Sequence, residues 1–331
     1  MIKKILTLFS ALAITLFGVL PFTACADNTS VIKINEVTHS VFYAPLYLAE
    51  SLGYLKEENI SVEFTNGGGA DASMAALLSG SADVAFCGPE AGIYVLLGGS
   101  SDAPKVFGQL TKRDGSFLVA RERDDDFTWS KLQGKEILAG RKGGVPAMTF
   151  EYTLKSLGVT ATLNYDVAFN MMTSAFESNV ADYCTMFEPV ASDYQAAGKG
   201  YIVASVGQQS GEIPYTCFMA KQSYINKNGD KIDALLRAVT KAVKYVLETD
   251  SSVVAQKLTS YFEGTSIQSL KTSLDSYKSI DAWMTNLAMK ESAFNRLQDV
   301  IESAGELERR VNFADLVITD RAQKVYQEIY G

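Results

Sequence analysis

The sequence has little of the residue type that catalysis and metal binding use most, because His39 is its only histidine among 331 residues. It also has no Cys-x-x-Cys pair, no His-Glu-x-x-His stretch, no Gly-x-Ser-x-Gly turn and no Walker loop. These absences remove the sequence signatures of common zinc sites, serine hydrolases and P-loop nucleotide enzymes. We therefore predict a protein that is not an enzyme and holds no cofactor and no metal.

Cysteine is scarce as well, with four widely spaced residues, Cys25, Cys87, Cys184 and Cys217. Such spacing matches neither a disulfide-stabilised small domain nor a zinc site. The last three lie in apolar surroundings typical of buried strands. We predict that they are inert core thiols.

Basic residues are outnumbered, with 30 lysines and arginines against 38 aspartates and glutamates and a formal net charge of -8. An acidic surface disfavours nucleic acid as a partner and disfavours a polybasic membrane contact. The length and the hydrophobic content of 47% are sufficient for two globular units, each with its own core.

The first 25 residues have the layout of an export signal, with two lysines followed by an apolar run over residues 5–20. Small residues then lead to Cys25, which resembles the lipobox cysteine of bacterial lipoproteins. We predict a signal peptide over 1–25, lipidation of Cys25 and a tether over 26–30. The exported protein would then be anchored by lipid at the outer face of the cytoplasmic membrane. The alternative is an ordinary secretory signal with an incidental cysteine.

After the tether, strand-like and helix-like stretches alternate, as in a parallel sheet covered by helices. The alternation restarts in the second third of the chain, which indicates two similar α/β halves. The last third is mostly helical, and apolar residues from Ile232 to Val246 recur on one face of a long helix. The predicted fold class is therefore α/β.

In such sheets, ligands bind beyond the carboxyl ends of the strands, where helix N-termini present unpaired N–H groups. Turns in these places, facing one another from two halves, would form a cleft. The turn residues that we predict to bind a ligand are Thr38, His39, Ser40, Asn66, Gly67, Gly68, Gly88, Pro89, Glu90, Arg113, Asp114, Arg141, Gly143, Gly144, Phe187 and Glu188.

Four stretches carry a family resemblance, namely HSVFYAPLY at 39–47, GYLKEE at 53–58, ALLSGSADV at 76–84 and FEP at 187–189. In combination they resemble the nitrate, sulfonate and taurine binding proteins and the binding proteins for thiamine pyrimidine precursors. The resemblance covers most of the chain after the leader. It implies a two-lobed periplasmic binding protein fold of type II, with the ligand cleft between the lobes.

On this resemblance, lobe 1 is expected to comprise residues 31–112 and 217–331, with the C-terminal helices, and lobe 2 residues 113–216. The segments near 108–115 and 206–215 are the candidate hinges. The implied function is that of a monomer that traps a small solute by hinge closure and delivers it to the membrane permease of an ABC importer.

The nature of the solute depends on which side chains face the cleft. The carboxylates of Glu90, Asp114 and Glu188 favour a ligand with amino or ring N–H groups. Aromatic candidates for stacking on a flat ring are Tyr43, Tyr47, Phe187, Tyr215 and Trp283, unless they belong to the core. We predict a heteroaromatic solute of the thiamine-precursor type.

Alternatives remain open at this point. Arg141 and Lys142, if they are not solvated loop charges, suit a sulfonate or nitrate-type anion, and a flavin is a further candidate. His39 faces the ligand on the resemblance, or else caps the following helix. A pyrimidine synthase that consumes its own histidine with pyridoxal phosphate is a remote alternative, as is a structural lipoprotein.

Overall fold

The structure, a computed structural model, describes residues 29–331. The predicted signal peptide and Cys25 lie outside the described residues, as does the first part of the predicted tether. No helix within the described range combines the length and the apolar character needed to cross a membrane.

Within this range, ten strands form two five-stranded sheets, ordered β2-β1-β3-β10-β4 and β7-β6-β8-β5-β9. In each sheet four strands point the same way and one, β10 or β5, runs against its neighbours. The strands are β1 (Ser30–Glu36), β2 (Ile60–Asn66), β3 (Val84–Cys87), β4 (Pro104–Thr111), β5 (Ser116–Ala120), β6 (Glu136–Leu138), β7 (Thr162–Asn164), β8 (Tyr183–Phe187), β9 (Tyr201–Ser205) and β10 (Thr216–Lys221).

Helices cover both sheets and form most of the C-terminal third. They are α1 (Ala44–Ser51), α2 (Tyr54–Glu57), α3 (Ala70–Ser79), α4 (Glu90–Leu97), α5 (Val145–Ser156), α6 (Met172–Glu177), α7 (Val190–Ala196), α8 (Val206–Ser210), α9 (Gln222–Lys227), α10 (Gly229–Glu248), α11 (Ser251–Leu258), α12 (Ile267–Ser279), α13 (Glu291–Ser303), α14 (Phe313–Leu316) and α15 (Asp320–Tyr330). Short 3₁₀ turns span Val41–Tyr43, Trp129–Leu132 and Phe169–Met171.

We use lobe 1 for the sheet of β1–β4 and β10 with its helices, and lobe 2 for the sheet of β5–β9 with its helices. The chain crosses from lobe 1 to lobe 2 between β4 and β5 and returns between β9 and β10. The return segment includes the short helix α8. The predicted class, two mostly parallel sheets flanked by helices, is confirmed.

The hydrophobic pattern of the sequence explains most of these elements. The apolar residues of α10 from Ile232 to Val246 are fully buried, and Cys87, Cys184 and Cys217 are buried thiols, as predicted. The largest core cluster draws residues from both lobes. A smaller cluster, including Leu118 and Phe150, fills the space between β5, β6 and α5.

Some elements depart from a regular pattern. The helical stretch after β1 is two helices, because Gly53 adopts a positive φ of 79° between α1 and α2. Leu78 and Met171 are apolar but 38% and 53% exposed. Strand β7 is only three residues long.

Candidate ligand site between the lobes

Glu90 lies where β3 ends and α4 begins, and its side chain is only 3% exposed. The carboxylate folds back over Gly88, so closely that a Cβ on Gly88 would lie 2.0 Å from Glu90 Oε2. Gly88 is therefore required for this arrangement. Pro89, also buried, begins the turn that aims the acid at lobe 2.

Residues of both lobes surround the carboxyl group of Glu90. Burial raises its pKa to about 7, and the N–H groups of Glu90, Ala91 and Val145 oppose that rise. Val145 begins α5 of lobe 2, directly after the predicted turn of Gly143 and Gly144. Oε2 has no hydrogen-bond partner among residues 29–331. One oxygen of the Glu90 carboxyl group can thus accept a further hydrogen bond.

Asp114 is a second buried acid, fully inaccessible and placed on the crossing between β4 and β5. Its Oδ1 accepts hydrogen bonds from Ser116 N (2.7 Å) and Ser116 Oγ (2.5 Å). Burial raises its pKa to about 6, against the opposing effect of Ser116 and of the Tyr215 hydroxyl. Its Oδ2 has no well-formed hydrogen bond within the described chain.

Tyr215 lies close to both buried acids, Asp114 and Glu90. It lies on the return crossing, is 5% exposed, and its hydroxyl also has no well-formed hydrogen bond to the described residues. Burial holds its pKa well above the usual range, and the charges of Asp114 and Glu90 add to the effect. The Tyr43 hydroxyl accepts a hydrogen bond from Thr216 Oγ1 at 3.3 Å. Burial raises the pKa of Tyr43, and the charge of Glu90 adds to the rise.

Aromatic rings border this polar group. The Phe42 ring centroid lies 5.8 Å from that of Tyr215 and 6.1 Å from that of Phe187, which is half-buried. Trp283 is 1% exposed and donates from Nε1 to Phe42 O at 2.8 Å. Trp283 thus belongs to the core and supports Phe42. Phe187 and Tyr215 are better placed to contact the ring of a solute.

Glu188 has both carboxylate oxygens engaged. Oε1 accepts from Ser192 Oγ at 2.7 Å and Oε2 from Ser192 N at 3.0 Å, in the first turn of α7. Its backbone N–H donates to Tyr277 Oη at 3.1 Å. The residue therefore holds α7 and α12 against the end of β8.

His39 is held by its protein neighbours through both ring nitrogens. Nδ1 lies 2.9 Å from Glu36 Oε1 and Nε2 lies 2.7 Å from Tyr261 O. The ring also packs 4.8 Å from Tyr47 and 4.7 Å from Phe262, centroid to centroid. His39 thereby joins the end of β1 to the segment after α11.

Ser40 and Thr38 flank this histidine. The Ser40 hydroxyl accepts from Phe42 N at 3.2 Å and caps the 3₁₀ turn, a role the sequence had offered to His39. Thr38 is partly buried in the bend before it.

The turn after β2 forms a separate polar patch. A Cβ on Gly67 would lie 2.6 Å from both Asn35 Oδ1 and Ser73 Oγ, two buried atoms without hydrogen-bond partners among the described residues. Gly68 N donates to Asn66 Oδ1 at 2.9 Å, which fixes the turn.

The arginines that were predicted to bind a ligand lie at the periphery of the candidate site. The Arg141 guanidinium, 59% exposed, forms an ion pair with Asp71 of α3 at 3.3 Å, so it spans the lobes near the surface. Arg113 Nη1 donates to Gly207 O at 3.3 Å and packs the two crossing segments together. Neither basic side chain is an ion-pair partner of Glu90 or Asp114 in the described structure.

The structure thus brings together Tyr43, Gly88, Glu90, Asp114 and Tyr215, with Phe187 beside them. Sequence reasoning missed the contributions of Ser116, Thr216 and the Val145 N–H, as well as Asn35 and Ser73. Only the position of Val145, next to a glycine turn and a proline, gave a signal for a helix start.

The family model described as NMT1/THI5 like matches residues 41–251. A Bacillus subtilis protein described as a binding protein, YtlA, is 38% identical over 320 residues, which cover 95% of this chain and 96% of YtlA.

Solved structures share the fold. The periplasmic nitrate-binding protein NrtA from Synechocystis PCC 6803 has a TM-score of 0.74 at 15% identity, covering 91% of this chain and 89% of NrtA. A ligand-binding component of an ABC-type import system from Staphylococcus aureus has a TM-score of 0.72 at 15% identity, covering 89% of this chain and 99% of that one.

Proposed function

Because the chain belongs to the NMT1/THI5-like family, we propose that it is the extracytoplasmic solute-binding component of an ABC importer. The similarity to YtlA over nearly the full length and the fold shared with an import component support this assignment. The partners are then a small solute and the permease subunits in the membrane. No chemical step is required of the protein in this role.

The observation that carries the choice of solute is the pair of buried acids Glu90 and Asp114. Glu90 Oε2 has no hydrogen-bond partner among the described residues, and Asp114 Oδ2 faces the Tyr215 hydroxyl without a well-formed hydrogen bond. A buried polar atom without a hydrogen bond is costly, so the ligand is expected to supply donors to both. Amino and ring N–H groups do so, and Phe187 and Tyr215 offer rings for stacking. A heteroaromatic amine of the thiamine-pyrimidine type meets these requirements.

An anion is the alternative solute, favoured by the fold shared with the nitrate-binding protein NrtA. The buried acids oppose it, because at neutral pH an anion would have to approach the carboxylate of Asp114 and the partly ionised carboxyl group of Glu90. Arg141, the predicted anion ligand, is largely exposed and already paired with Asp71.

Capture proceeds by closure of one lobe on the other. The solute first contacts Glu90 on lobe 1 or Asp114 on the crossing, and α5 then approaches until the Val145 N–H faces Glu90. The crossings near 108–115 and 206–215 act as hinges.

Thermal denaturation with a panel of aminopyrimidines, flavins, alkanesulfonates and nitrate tests this function, since a ligand that binds only the folded state raises the melting temperature. An aminopyrimidine is expected to stabilise the protein, and Asp114→Asn to reduce its affinity at least ~10-fold, about 1.4 kcal/mol. Asp125→Asn, a change at a side chain 73% exposed, is the matched control. Stabilisation by nitrate or sulfonate alone would contradict the proposed solute.

The lipid anchor at Cys25 belongs to the same proposal. A Cys25→Ser variant is expected to leave the membrane fraction and appear in soluble form outside the cytoplasm, as judged by fractionation and immunoblot. Membrane association that is unchanged in this variant would rule out the anchor.

A further inference from the structure

Two of the three buried thiols face each other across neighbouring strands. β3 and β10 are antiparallel neighbours, and Cys87 is directly opposite Cys217 in their register. The next pair, Phe86 and Phe218, has ring centroids 4.5 Å apart, which shows that the two strands are closely paired there.

Residues directly opposite on an antiparallel pair point to the same face of the sheet, with Cα atoms about 4.5 or 5.5 Å apart. Disulfides span Cα separations of about 4.4–6.8 Å. The two cysteines therefore have the backbone separation that a disulfide needs. Burial is the main cause of the raised pKa of Cys217, and the nearby Cys87 raises it further, in agreement with the short distance between the two residues.

The third thiol lacks such a partner. Cys184 lies on β8 in the other sheet, where its cross-strand neighbours are Val119 and Leu138. It is equally buried, so it serves as a matched comparison in which only the opposing thiol is missing.

We propose that Cys87 and Cys217 form an oxidisable pair that closes into a cross-strand disulfide by exchange with an external disulfide such as oxidised glutathione. One thiolate attacks the external disulfide and releases one reduced thiol. The second thiolate then attacks the mixed disulfide and releases another. The protein pair is oxidised, the external disulfide is reduced, and the two protons end on the released thiols.

Burial determines when this exchange occurs. Both side chains are 0% exposed, and burial holds both pKa values well above the usual range, so few thiolates exist in the native fold. Exchange is therefore expected during folding or local opening, when β3 and β10 are only partly packed.

The pair lies beneath the candidate ligand site. Cys87 is followed by Gly88 and the turn to Glu90, and Cys217 is preceded by Tyr215 and Thr216. A disulfide here would join the two strand ends from which Glu90 and Tyr215 extend.

The test is refolding of the full chain in a buffer of reduced and oxidised glutathione, followed by alkylation in denaturant, digestion without reduction and mass spectrometry of the peptides. We expect a linked peptide pair containing Cys87 and Cys217, absent after reduction with dithiothreitol. Cys184→Ser is expected to leave its yield unchanged, and in Cys87→Ser the Cys217 thiol should be alkylated.

The peptide map of the wild-type protein shows whether Cys87 and Cys217 are linked, even if a serine variant folds poorly. Alkylation of Cys87 and Cys217 to the same extent as in fully reduced protein would overturn the proposal. A disulfide that contains Cys184 would overturn it too, since that result would indicate unselective oxidation.

Discussion

Glu90 ties the stability of the protein to pH. Its carboxyl group has a pKa of about 7 in the fold against an ordinary value of 4.5, because it is buried. The folded state therefore keeps a proton that the unfolded state loses, and the resulting contribution to stability is full below about pH 4.5 and lost as the pH rises to about 7.

Glu90→Gln is expected to be more stable than the wild type at pH 8, by on the order of 3 kcal/mol at about 1.4 kcal/mol per pKa unit. The amide oxygen of glutamine can still accept from the Val145 N–H. Urea denaturation at pH 4.5 and 8 measures the difference, which should be small at the lower pH. Glu63→Gln, on the exposed part of β2, is the control, and equal effects of the two substitutions would contradict the assignment.

His39 has the opposite dependence on pH. Both ring nitrogens face acceptors, Glu36 Oε1 and Tyr261 O, so only the imidazolium donates to both. The hydrogen bond to Glu36 is the largest cause that raises the pKa of His39, with burial opposing it.

The histidine contribution is therefore present below pH 6.5 and lost as the pH rises through the higher folded value. His39→Gln should lower the free energy of unfolding by about 1 kcal/mol at pH 5.5 and by less at pH 9. Urea denaturation at the two pH values checks this, and a loss that does not change with pH would argue for packing alone. The same contacts offer no support for a histidine that is consumed as a substrate.

The crossing segments between the lobes touch through their backbones. A Cβ on Gly207 of α8 would lie 2.1 Å from Asp114 O, a contact that no rotamer change relieves. Gly207→Ala is expected to push α8 away from Asp114 and to cost at least ~2 kcal/mol in stability.

Differential scanning calorimetry of Gly207→Ala against Gly98→Ala provides the comparison. Gly98 ends α4 with a φ of -69°, and its nearest neighbours are 3.4 Å away, so alanine fits there with little change. Equal melting temperatures for the two variants would show that the crossings are not in tight contact.

The elements also show how far the sequence could predict this fold. Alternation and helical periodicity located all ten strands of the described range and the long α10, since burial selects those patterns. The short helices α7, α8 and α9 contain too few residues to show a period. Leu78 continues the apolar run of α3 but is 38% exposed, because this helix buries mainly one side, through Met74 and Leu77.

The candidate site was predictable only in outline. The position of glycine turns after strands indicated Glu90 and Asp114, because the topology of parallel sheets fixes where strand ends meet. Glu188 is engaged by Ser192, a local contact four positions along the chain, whereas His39 is engaged by Tyr261, a tertiary contact between residues 222 positions apart. Sequence spacing carries no information on the longer of these contacts.

The two lobes contact each other near the surface through Arg141 and Asp71. Asp71→Arg should replace this attraction by repulsion and favour an open arrangement in the absence of solute, with little change in stability because the pair is exposed. Small-angle scattering should show a larger radius of gyration than for Asp125→Arg, an exposed charge reversal elsewhere on lobe 2. Identical radii would show that this pair does not hold the lobes together.

Isothermal titration calorimetry at pH 7.5 tests the central claim most directly, with an aminopyrimidine, nitrate and an alkanesulfonate titrated into wild type, Glu90→Gln and Asp114→Asn. We expect the aminopyrimidine alone to bind the wild type, with each substitution weakening it at least ~10-fold. Binding of an anion with equal affinity to all three proteins would contradict a site built on Glu90 and Asp114.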